Sequence, residues 1–423
     1  MEHDQVFTRA WVLRPDIKSD NTRRPADPAL QEAVALASAL PDLEVVGSEI
    51  VRLPKVKPGL LFGTGKVDEL AGRLAANDIE LVLIDGSLTP VQQRNLEEAW
   101  SVKILDRTGL ILEIFSDRAR TREGVLQVEM AALSYQRTRL VRAWTHLERQ
   151  RGGLGFVGGP GETQIEADRR AIDDQLVRLK RQLEKVIKTR TLHRAARAKV
   201  PYPIVALVGY TNAGKSTLFN RLTGADVMAE DMLFATLDPT MRRVELPDGP
   251  EIILSDTVGF ISDLPTELVA AFRATLEEVL GADLIVHVRD ISHADTHAQA
   301  RDVATILTSL GVDEGRAQIE LWNKLDLLPE EEADAARARA DRDPAVCAIS
   351  ALTGEGLDHF LQVVAEALQG ARHETQLHLG FADGKQRAWL FQQDIVQSEN
   401  QGDDGFDITV LWTTRQESQF NAL

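Results

Sequence analysis

One stretch near the middle of the chain limits its possible folds more than any other. The apolar residues 204–208 lead directly into Gly-Tyr-Thr-Asn-Ala-Gly-Lys-Ser-Thr, and the helix-forming residues 218–222 follow. A phosphate-binding loop needs this order of strand, loop and helix, because backbone N–H groups and the helix N-terminus must face the phosphate oxygens. The pattern predicts that Lys215 reaches the terminal phosphates and that Ser216 offers an oxygen to Mg²⁺. The predicted nucleotide-binding residues of the loop are Gly209, Tyr210, Thr211, Asn212, Ala213, Gly214, Lys215, Ser216 and Thr217.

The length of the chain, 423 residues, is too great for one hydrophobic core. We predict an α/β protein with an N-terminal parallel α/β domain (1–116), a helical coiled-coil hairpin (117–200), a P-loop domain (201–370) and a small C-terminal α+β domain (371–423). No apolar run approaches the ~18–20 residues of a membrane span, and the first residues lack a secretory signal. The single cysteine, Cys347, excludes an internal disulfide framework. We therefore expect a cytoplasmic monomer without a membrane span.

Positive charge is concentrated in one segment of an acidic chain. The formal net charge is -17, yet residues 117–200 hold 19 Lys and Arg against 10 Asp and Glu. A basic segment of this kind is where a nucleic acid partner binds, although a solvated helix face has the same composition. Charge alone leaves both interpretations open.

The same segment has the apolar spacing of two packed helices. Apolar residues recur at alternating four- and three-residue steps, and Arg137 and Arg169 each occupy one position of the pattern. This spacing predicts two coiled-coil-like helices that fold back on each other as an antiparallel pair. The apolar positions are Leu126, Met130, Leu133, Leu140, Trp144 and Leu147 in the first helix, and Ile165, Ile172, Leu176, Leu179, Leu183 and Val186 in the second.

A glycine-rich loop separates the two helices. Six of the ten residues 152–161 are glycine, more than a simple turn requires. A loop of this kind can approach another backbone closely, with Phe156 available to stack on a base. A flexible connector and a second nucleotide pocket at the helix that opens near Glu162 are the alternatives. The candidate RNA-contacting residues are Arg151, Gly152, Gly153, Phe156, Gly158 and Gly159.

The N-terminal region alternates between strand and helix patterns. Strand patterns at 7–13, 43–53, 79–85 and 102–106 alternate with helical patterns at 29–40, 66–76 and 90–100, which predicts a parallel sheet covered by helices. The segment 63–66, Gly-Thr-Gly-Lys, lies between a strand and a helix and could hold a phosphate, but it lacks the full spacing of a nucleotide motif, which favours a helix cap. We predict no catalytic residue in this region.

Two segments behind the phosphate loop predict the switch regions of a nucleotide-hydrolysing protein. Thr236 is placed to reach Mg²⁺ when a γ-phosphate is present, with Thr240 as the alternative. Asp256, at the end of a strand, can hold a Mg²⁺-bound water, and Gly259 can turn its N–H toward the γ-phosphate. We therefore predict Lys215, Thr236 and Gly259 as the catalytic residues. The predicted nucleotide contacts here are Phe234, Ala235, Thr236, Leu237, Asp238, Asp256, Thr257, Val258 and Gly259.

The segment Asn-Lys-Leu-Asp at 323–326 predicts which base is bound. Asp326 can accept hydrogen bonds from the guanine N1–H and exocyclic amine, which adenine cannot offer, while the stem of Lys324 packs on the base. A loop at 350–352 supplies a backbone N–H to the guanine oxygen. The order of these elements predicts GTP and GDP as ligands. The base-binding residues are Asn323, Lys324, Leu325, Asp326, Ser350, Ala351 and Leu352.

The residue after Gly259 is Phe260, where Ras-like GTPases carry the glutamine that orients the attacking water. An apolar side chain cannot orient water, so intrinsic hydrolysis should be slow and the missing group should come from a partner, another loop or a monovalent cation. Asn212 is a candidate ligand for such a K⁺ ion. The expected cofactors are therefore Mg²⁺ and, with Asn212 as its ligand, K⁺.

Together these motifs resemble those of the HflX family, in the Obg-related branch of P-loop GTPases. The residues that carry the resemblance are 155–164, the phosphate loop, 234–240 and 256–260. The family carries an apolar residue after the switch glycine, so Phe260 agrees with it. The resemblance implies a GTPase that binds the large (50S) ribosomal subunit and splits stalled or stressed 70S ribosomes, with the helical arm reaching toward the peptidyl-transferase centre and its rRNA.

Two other functions remain compatible with the sequence, namely a nucleotide-dependent RNA-remodelling protein and a regulatory switch whose arm binds a protein.

The C-terminal segments 388–391 and 406–412 predict one helix and one strand, with a turn at 400–405 between them. We predict no functional site in this C-terminal part.

Overall fold

The computed structural model describes residues 7–19, 24–150, 160–197, 202–225, 233–234, 240–247, 251–262, 279–312, 316–369, 373–393, 395–402, 404–412 and 414–421. The chain divides into two compact units, Met1–Val244 with Ile252–Gly356, and Glu245–Glu251 with Leu357–Leu423. The four-domain division at 116, 200 and 370 stays a prediction. No helix among the described residues is both long and apolar enough to cross a membrane.

The N-terminal region forms the predicted parallel sheet, with strand order β2-β1-β3-β4. The third helix begins where its sequence dictates: Thr89 and Gln92 form a reciprocal capping box, and Pro90 occupies the first turn, where its missing N–H costs nothing. The elements are β1 (Thr8–Ile17), α1 (Ala26–Ser38), β2 (Leu43–Leu53), α2 (Thr64–Ala76), β3 (Leu81–Ile84), α3 (Pro90–Trp100), β4 (Lys103–Asp106) and α4 (Arg107–Arg118).

Two features of this region differ from the prediction. Strand β1 continues to Ile17 because it stays paired with β2 through polar residues, which the apolar pattern could not reveal. Helix α4 was not predicted, since it is apolar on most sides: Leu110, Ile111 and Phe115 are all buried. Its exposed residues, Glu113, Ser116 and Asp117, form only a narrow polar face, which gives a weak helical period.

The basic segment forms two long helices, α5 (Arg122–Gln150) and α6 (Pro160–Arg197), which contact each other. The polar residues of the two stripes, Arg137 and Arg169, share one ion-pair partner. The carboxylate oxygens of Asp173 lie 2.8 Å from the Arg137 Nε and 4.0 Å from the Arg169 Nε. Among the described side chains of the stripes, Leu126 and Leu179 are buried, and Met130, Leu133, Ile172, Leu176, Leu183 and Val186 are half-buried. The side chains of Leu140, Trp144, Leu147 and Ile165 lie outside the described ones, as do residues 151–159, which hold Arg151, Gly152, Gly153, Phe156, Gly158 and Gly159.

The phosphate loop lies in a six-stranded sheet of order β10-β9-β8-β5-β7-β6. Strand β5 runs parallel to β7 and β8 in the middle of this sheet, so its carboxyl end opens between two neighbouring strand ends. Ligands of open parallel sheets bind at this edge. The elements are β5 (Ile204–Gly209), α7 (Lys215–Thr223), β6 (Thr240–Glu245), β7 (Glu251–Asp256), β8 (Leu284–Asp290), α8 (Thr296–Ser309), β9 (Gln318–Asn323), α9 (Glu330–Ala340) and β10 (Val346–Ala348).

The second unit is a three-stranded antiparallel sheet of order β11-β13-β12 with helices. The predicted turn at 400–405 is too long, because residues 400 and 401 pair with β13. Strands β11 and β12 were not predicted, since both are rich in polar residues and lie at the edges of the sheet. The elements are α10 (Leu357–Gln369), β11 (His373–Gly380), α11 (Gly384–Gln392), β12 (Val396–Gln401), β13 (Gly405–Trp412) and α12 (Thr414–Asn421).

Candidate nucleotide site

The phosphate loop is held between neighbouring strands by close backbone approach. A Cβ atom on Gly209 would lie 2.2 Å from the Val288 carbonyl oxygen, and one on Gly214, whose φ is +92°, would lie 2.2 Å from the Asn323 amide nitrogen. Only glycine fits at these two positions. The first and last glycines of the motif are therefore required by packing as well as by phosphate binding.

Lys215 begins helix α7 and is buried. Its ammonium group donates to the carbonyl oxygens of Gly209 at 3.2 Å and Tyr210 at 2.9 Å, so it lies folded over the loop. Burial lowers the pKa of Lys215 to about 8, and the carboxylate of Asp256 opposes this shift. Phosphate oxygens at this place would supply the negative charge that the buried ammonium lacks.

The predicted magnesium ligands lie next to each other. The hydroxyl of Ser216 donates to the carboxylate of Asp256 over 2.7 Å, at the adjacent ends of α7 and β7. Asp256 is completely buried, and the neighbouring Thr257 hydroxyl is tied to the Leu207 carbonyl oxygen at 2.6 Å. A hydroxyl and a carboxylate are hard oxygen donors, so this pair fits Mg²⁺.

The segment after β7 lies directly on the phosphate loop. Phe260 donates its N–H to the Gly209 carbonyl and accepts from the Thr211 N–H at 2.7 Å, so the two segments pair like strands. A Cβ atom on Gly259 would lie 2.8 Å from the Thr211 methyl group and 3.1 Å from the Lys215 amine. The Phe260 side chain is 2% exposed and belongs to the core. It therefore cannot orient a water.

On the side of the base, Asn323 acts as a brace between two loops. Its amide nitrogen donates to the Ala213 carbonyl at 2.8 Å, and its amide oxygen accepts from the Ala351 N–H at 2.9 Å. This use of both amide atoms joins the phosphate loop to the 350–352 loop. Lys324, with φ of +69°, forms an ion pair of 2.9 Å with Asp290, which the sequence did not single out.

Asp326 receives a hydrogen bond from the hydroxyl of Ser350, which orients its carboxylate. Ser350 also accepts from the Thr353 N–H at 3.1 Å, so the last base-binding loop and the predicted base-reading carboxylate form one connected unit. Leu325 is buried and Leu352 is 68% exposed.

Most of the predicted site residues lie together around the carboxyl ends of β5, β7 and β9, with Asn212 exposed in a left-handed conformation in the phosphate loop. The Phe234 ring packs on Phe115 with ring centroids 4.6 Å apart, so its side chain belongs to the core. The predicted switch residues Ala235, Thr236, Leu237 and Asp238 lie outside the described residues, whereas the alternative Thr240 begins β6.

The chain is similar to known proteins along most of its length. Four families match successive parts of the chain: GTP-binding GTPase N-terminal at 27–116, GTP-binding GTPase Middle Region at 118–197, 50S ribosome-binding GTPase at 204–324 and HflX C-terminal domain at 335–422. The crystal structure of SsGBP in complex with GDP aligns with 85% of this chain and 98% of that chain, at 22% identity and a TM-score of 0.49.

Two relatives cover most of the chain. GTPase HflX of Magnetococcus marinus is 48% identical over 411 residues, which are 97% of this chain and 93% of that protein. GTPase HflX of Escherichia coli K12 is 46% identical over 352 residues, which are 82% of this chain and 81% of that protein. The chain therefore belongs to the HflX family of GTPases and is a protein that binds and hydrolyses GTP.

Proposed function

We propose that this GTPase associates with the large (50S) ribosomal subunit and splits stalled or stressed 70S ribosomes in the cytoplasm, acting as a monomer. The observation that carries the proposal is the basic helical arm, α5 with α6. In residues 166–188, where the side chains of α6 are described, seven cationic residues are exposed. They are Arg169, Arg170, Arg178, Lys180, Arg181, Lys185 and Lys188.

A surface of this kind suits a phosphate backbone. Phosphate contacts by Lys and Arg release counterions, which gives strong binding that weakens steeply with added salt. The acidic remainder of the chain would be repelled by RNA, so it favours docking through the arm alone. The glycine-rich loop at 151–159 is proposed to enter the rRNA, with Arg151 and Phe156 as its contacts.

In the nucleotide site, Ser216 would hold Mg²⁺ directly and Asp256 would hold it through a water, and Thr236 would complete the set when the γ-phosphate is bound. An Mg²⁺ ion held by these residues would supply positive charge against the negative charge of the phosphates. Lys215 binds the terminal phosphates, Gly259 offers its N–H to the γ-phosphate, and Asp326 selects guanine. Release of the γ-phosphate removes the contacts of Thr236 and Gly259, so hydrolysis resets the switch and frees the ribosome.

Phe260 leaves the orientation of the attacking water to another group, and we propose K⁺ at Asn212 for part of this role. Asn212 is exposed in the phosphate loop, where a cation would face the phosphates. GTP turnover should be faster in K⁺ than in Na⁺, and Asn212→Ala should remove the difference. Equal rates of the native protein in both salts would exclude the cation.

The ribosome proposal is tested by cosedimentation with purified 50S subunits in the presence of a non-hydrolysable GTP analogue, together with a splitting assay on 70S ribosomes. We expect the full chain to pellet with the subunits and a deletion of residues 152–161 to lose splitting activity. Undiminished binding and splitting by the deletion would contradict the role of the loop. Unwinding of duplex RNA without ribosome splitting would instead indicate an RNA-remodelling protein, and binding that survives RNase and high salt would indicate a protein partner.

A further inference from the structure

A buried polar cluster joins the N-terminal sheet to the nucleotide site. Its members are Glu32 on α1, Arg107 at the start of α4, Tyr210 in the phosphate loop, and Ser262, two residues beyond Phe260. The Tyr210 hydroxyl donates to the Glu32 carboxylate at 2.5 Å, accepts from the Ser262 N–H at 2.8 Å and lies 2.8 Å from the Ser262 hydroxyl. We call these four residues the relay cluster.

Arg107 is the centre of the relay cluster and is 4% exposed. It donates to the carboxylate of Asp85 at 2.7 Å, to the carboxylate of Glu32 and to the carbonyl oxygen of Ser262 at 2.9 Å. One guanidinium group from the N-terminal sheet therefore holds the backbone of the segment that follows Gly259. Arg14 pairs with the other oxygen of Asp85 at 2.7 Å and fixes that carboxylate.

The residue before Arg107 makes contacts in another direction. Asp106 accepts from the Tyr135 hydroxyl at 2.5 Å and from Arg139 at 2.7 Å, and both of these residues lie on α5, at the base of the arm. Asp106 also accepts from the Gly109 N–H at 2.9 Å, and this contact caps α4. Two consecutive residues at the β4–α4 junction thus contact the arm on one side and the nucleotide site on the other.

The charges in the relay cluster stay fixed at neutral pH. Burial alone would raise the pKa of Glu32, but the guanidinium groups of Arg107 and Arg24 outweigh it and hold that pKa below its usual value. Burial and the Glu32 carboxylate raise the pKa of Tyr210, so its hydroxyl keeps its proton. Glu32 is therefore an anion that accepts hydrogen bonds from the Tyr210 hydroxyl.

The hydroxyl groups of Tyr210 and Ser262 have fewer protons than they have side-chain oxygen partners. The Ser262 hydroxyl donates to the Asp302 carboxylate at 2.6 Å, the Tyr210 hydroxyl donates to Glu32, and the two hydroxyls also contact each other. Two hydroxyl protons serve three oxygen pairs, so one contact can be lost without leaving a proton unbonded. The Ser262 side chain can therefore turn its hydroxyl away from Tyr210 without leaving a hydroxyl proton unbonded, while the Ser262 N–H keeps its bond to the Tyr210 oxygen.

We propose that Tyr210 and Arg107 are positioning residues that connect the switch segment 256–262 to the arm, so that the nucleotide state sets the order of α5. Gly259 lies against Lys215, and a displacement at Gly259 reaches Ser262 three residues later. The proposed connection responds to whether GTP or GDP is bound and requires no other ligand. Its relevance for ribosome binding rests on the proposed function, but its test needs no ribosome.

The three tyrosines of the chain provide matched variants. Tyr210→Phe and Tyr135→Phe each remove one hydroxyl from the connection, and Tyr202→Phe, whose ring stacks with Arg243 elsewhere, is the control. The first measurement is the ratio of the dissociation constants for GDP and a non-hydrolysable GTP analogue. We expect Tyr210→Phe to change this ratio at least about fivefold, the lower end of measured couplings between sites. Tyr202→Phe should leave the ratio unchanged.

The second measurement is amide hydrogen exchange in residues 122–139 with each nucleotide. In the native protein the two nucleotides should give different protection of α5, and Tyr210→Phe and Tyr135→Phe should both lose the difference. A purely structural role would lower protection equally with both nucleotides.

A double-mutant cycle that combines Glu32→Gln with Ser262→Ala completes the test. The two substitutions should affect the ratio of the GDP and GTP-analogue dissociation constants non-additively, by at least about threefold. The proposal is overturned if the cycle is additive, or if Tyr210→Phe keeps both the native ratio and the native exchange difference. These conservative variants decide the matter without a substitution of the buried Arg107, which could prevent folding. Failure of 50S binding would leave these nucleotide measurements unchanged, so the two proposals are tested separately.

Discussion

Replacing Asn323 by alanine should weaken GTP and GDP equally and leave base preference unchanged. The side chain is 2% exposed and uses its amide to bridge the Ala213 carbonyl and the Ala351 N–H. Asn323→Ala leaves both of these buried backbone groups without their partner. Each such loss costs ~1–3 kcal/mol.

We expect about 2 kcal/mol of this cost to appear as lost nucleotide affinity, because a nucleotide binds between the two loops that Asn323 braces. That corresponds to about 30-fold weaker binding. The remainder should appear as a lower free energy of unfolding. The assay is fluorescence titration with labelled GTP and GDP, together with urea unfolding of the same variant.

Asn95→Ala is a matched control, since Asn95 makes one amide contact to the Gly59 carbonyl at 2.9 Å in the N-terminal region. It should leave nucleotide affinity unchanged. Asp326→Asn is the contrasting variant, because it should change the preference among purine bases. A loss of less than about threefold in nucleotide affinity by Asn323→Ala, or a loss of guanine preference like that of Asp326→Asn, would show that Asn323 does not act as a brace between the two loops.

Three further outcomes are expected. Gly209→Ala should destabilise the fold by about 3 kcal/mol, because the added methyl group overpacks against the Val288 carbonyl. Gly72→Ala is the control: it has open space around it on α2 and should be neutral or stabilising by up to about 1 kcal/mol. Urea unfolding measures both free energies. Burial lowers the pKa of Lys215 to about 8 in the chain alone, and bound phosphates favour its charged form. Nucleotide binding above that pH should therefore take up a proton, and the affinity should weaken as pH rises. Calorimetry in two buffers measures the proton uptake, and binding without it would contradict this expectation. Binding to 50S subunits should weaken at least about tenfold between ~50 and ~200 mM salt, and a salt-independent affinity would argue against phosphate contacts by the arm.

The elements with strong local signals were predictable from the sequence. Strand β5, the phosphate loop and α7 form the expected unit because glycine spacing and an apolar run report on one continuous stretch of chain. The apolar stripes of α5 and α6 were predictable for the same reason, since a helix shows its buried face every three or four residues. The polar positions Arg137 and Arg169 even share the partner Asp173.

The features that escaped prediction depend on partners far away in the sequence. Glu32 and Arg107 are 75 positions apart, and the Arg107 contact to Ser262 spans 155 positions. Nothing near Glu32 marks it as buried, because a single acidic residue on a helix is normally exposed. The role of Asn323 as a brace was also hidden, since its motif predicts a base contact and shows nothing of the two loops that it joins.

We propose that GTP binding lets this chain act on ribosomes through its basic arm. The most direct test is sedimentation of purified 70S ribosomes mixed with the protein and GTP, a non-hydrolysable GTP analogue or GDP. We expect GTP and the analogue to convert 70S ribosomes to free subunits, the analogue to retain the protein on the 50S subunit, and GDP to do neither. An unchanged 70S peak with all three nucleotides, or equal splitting with GDP, would contradict it.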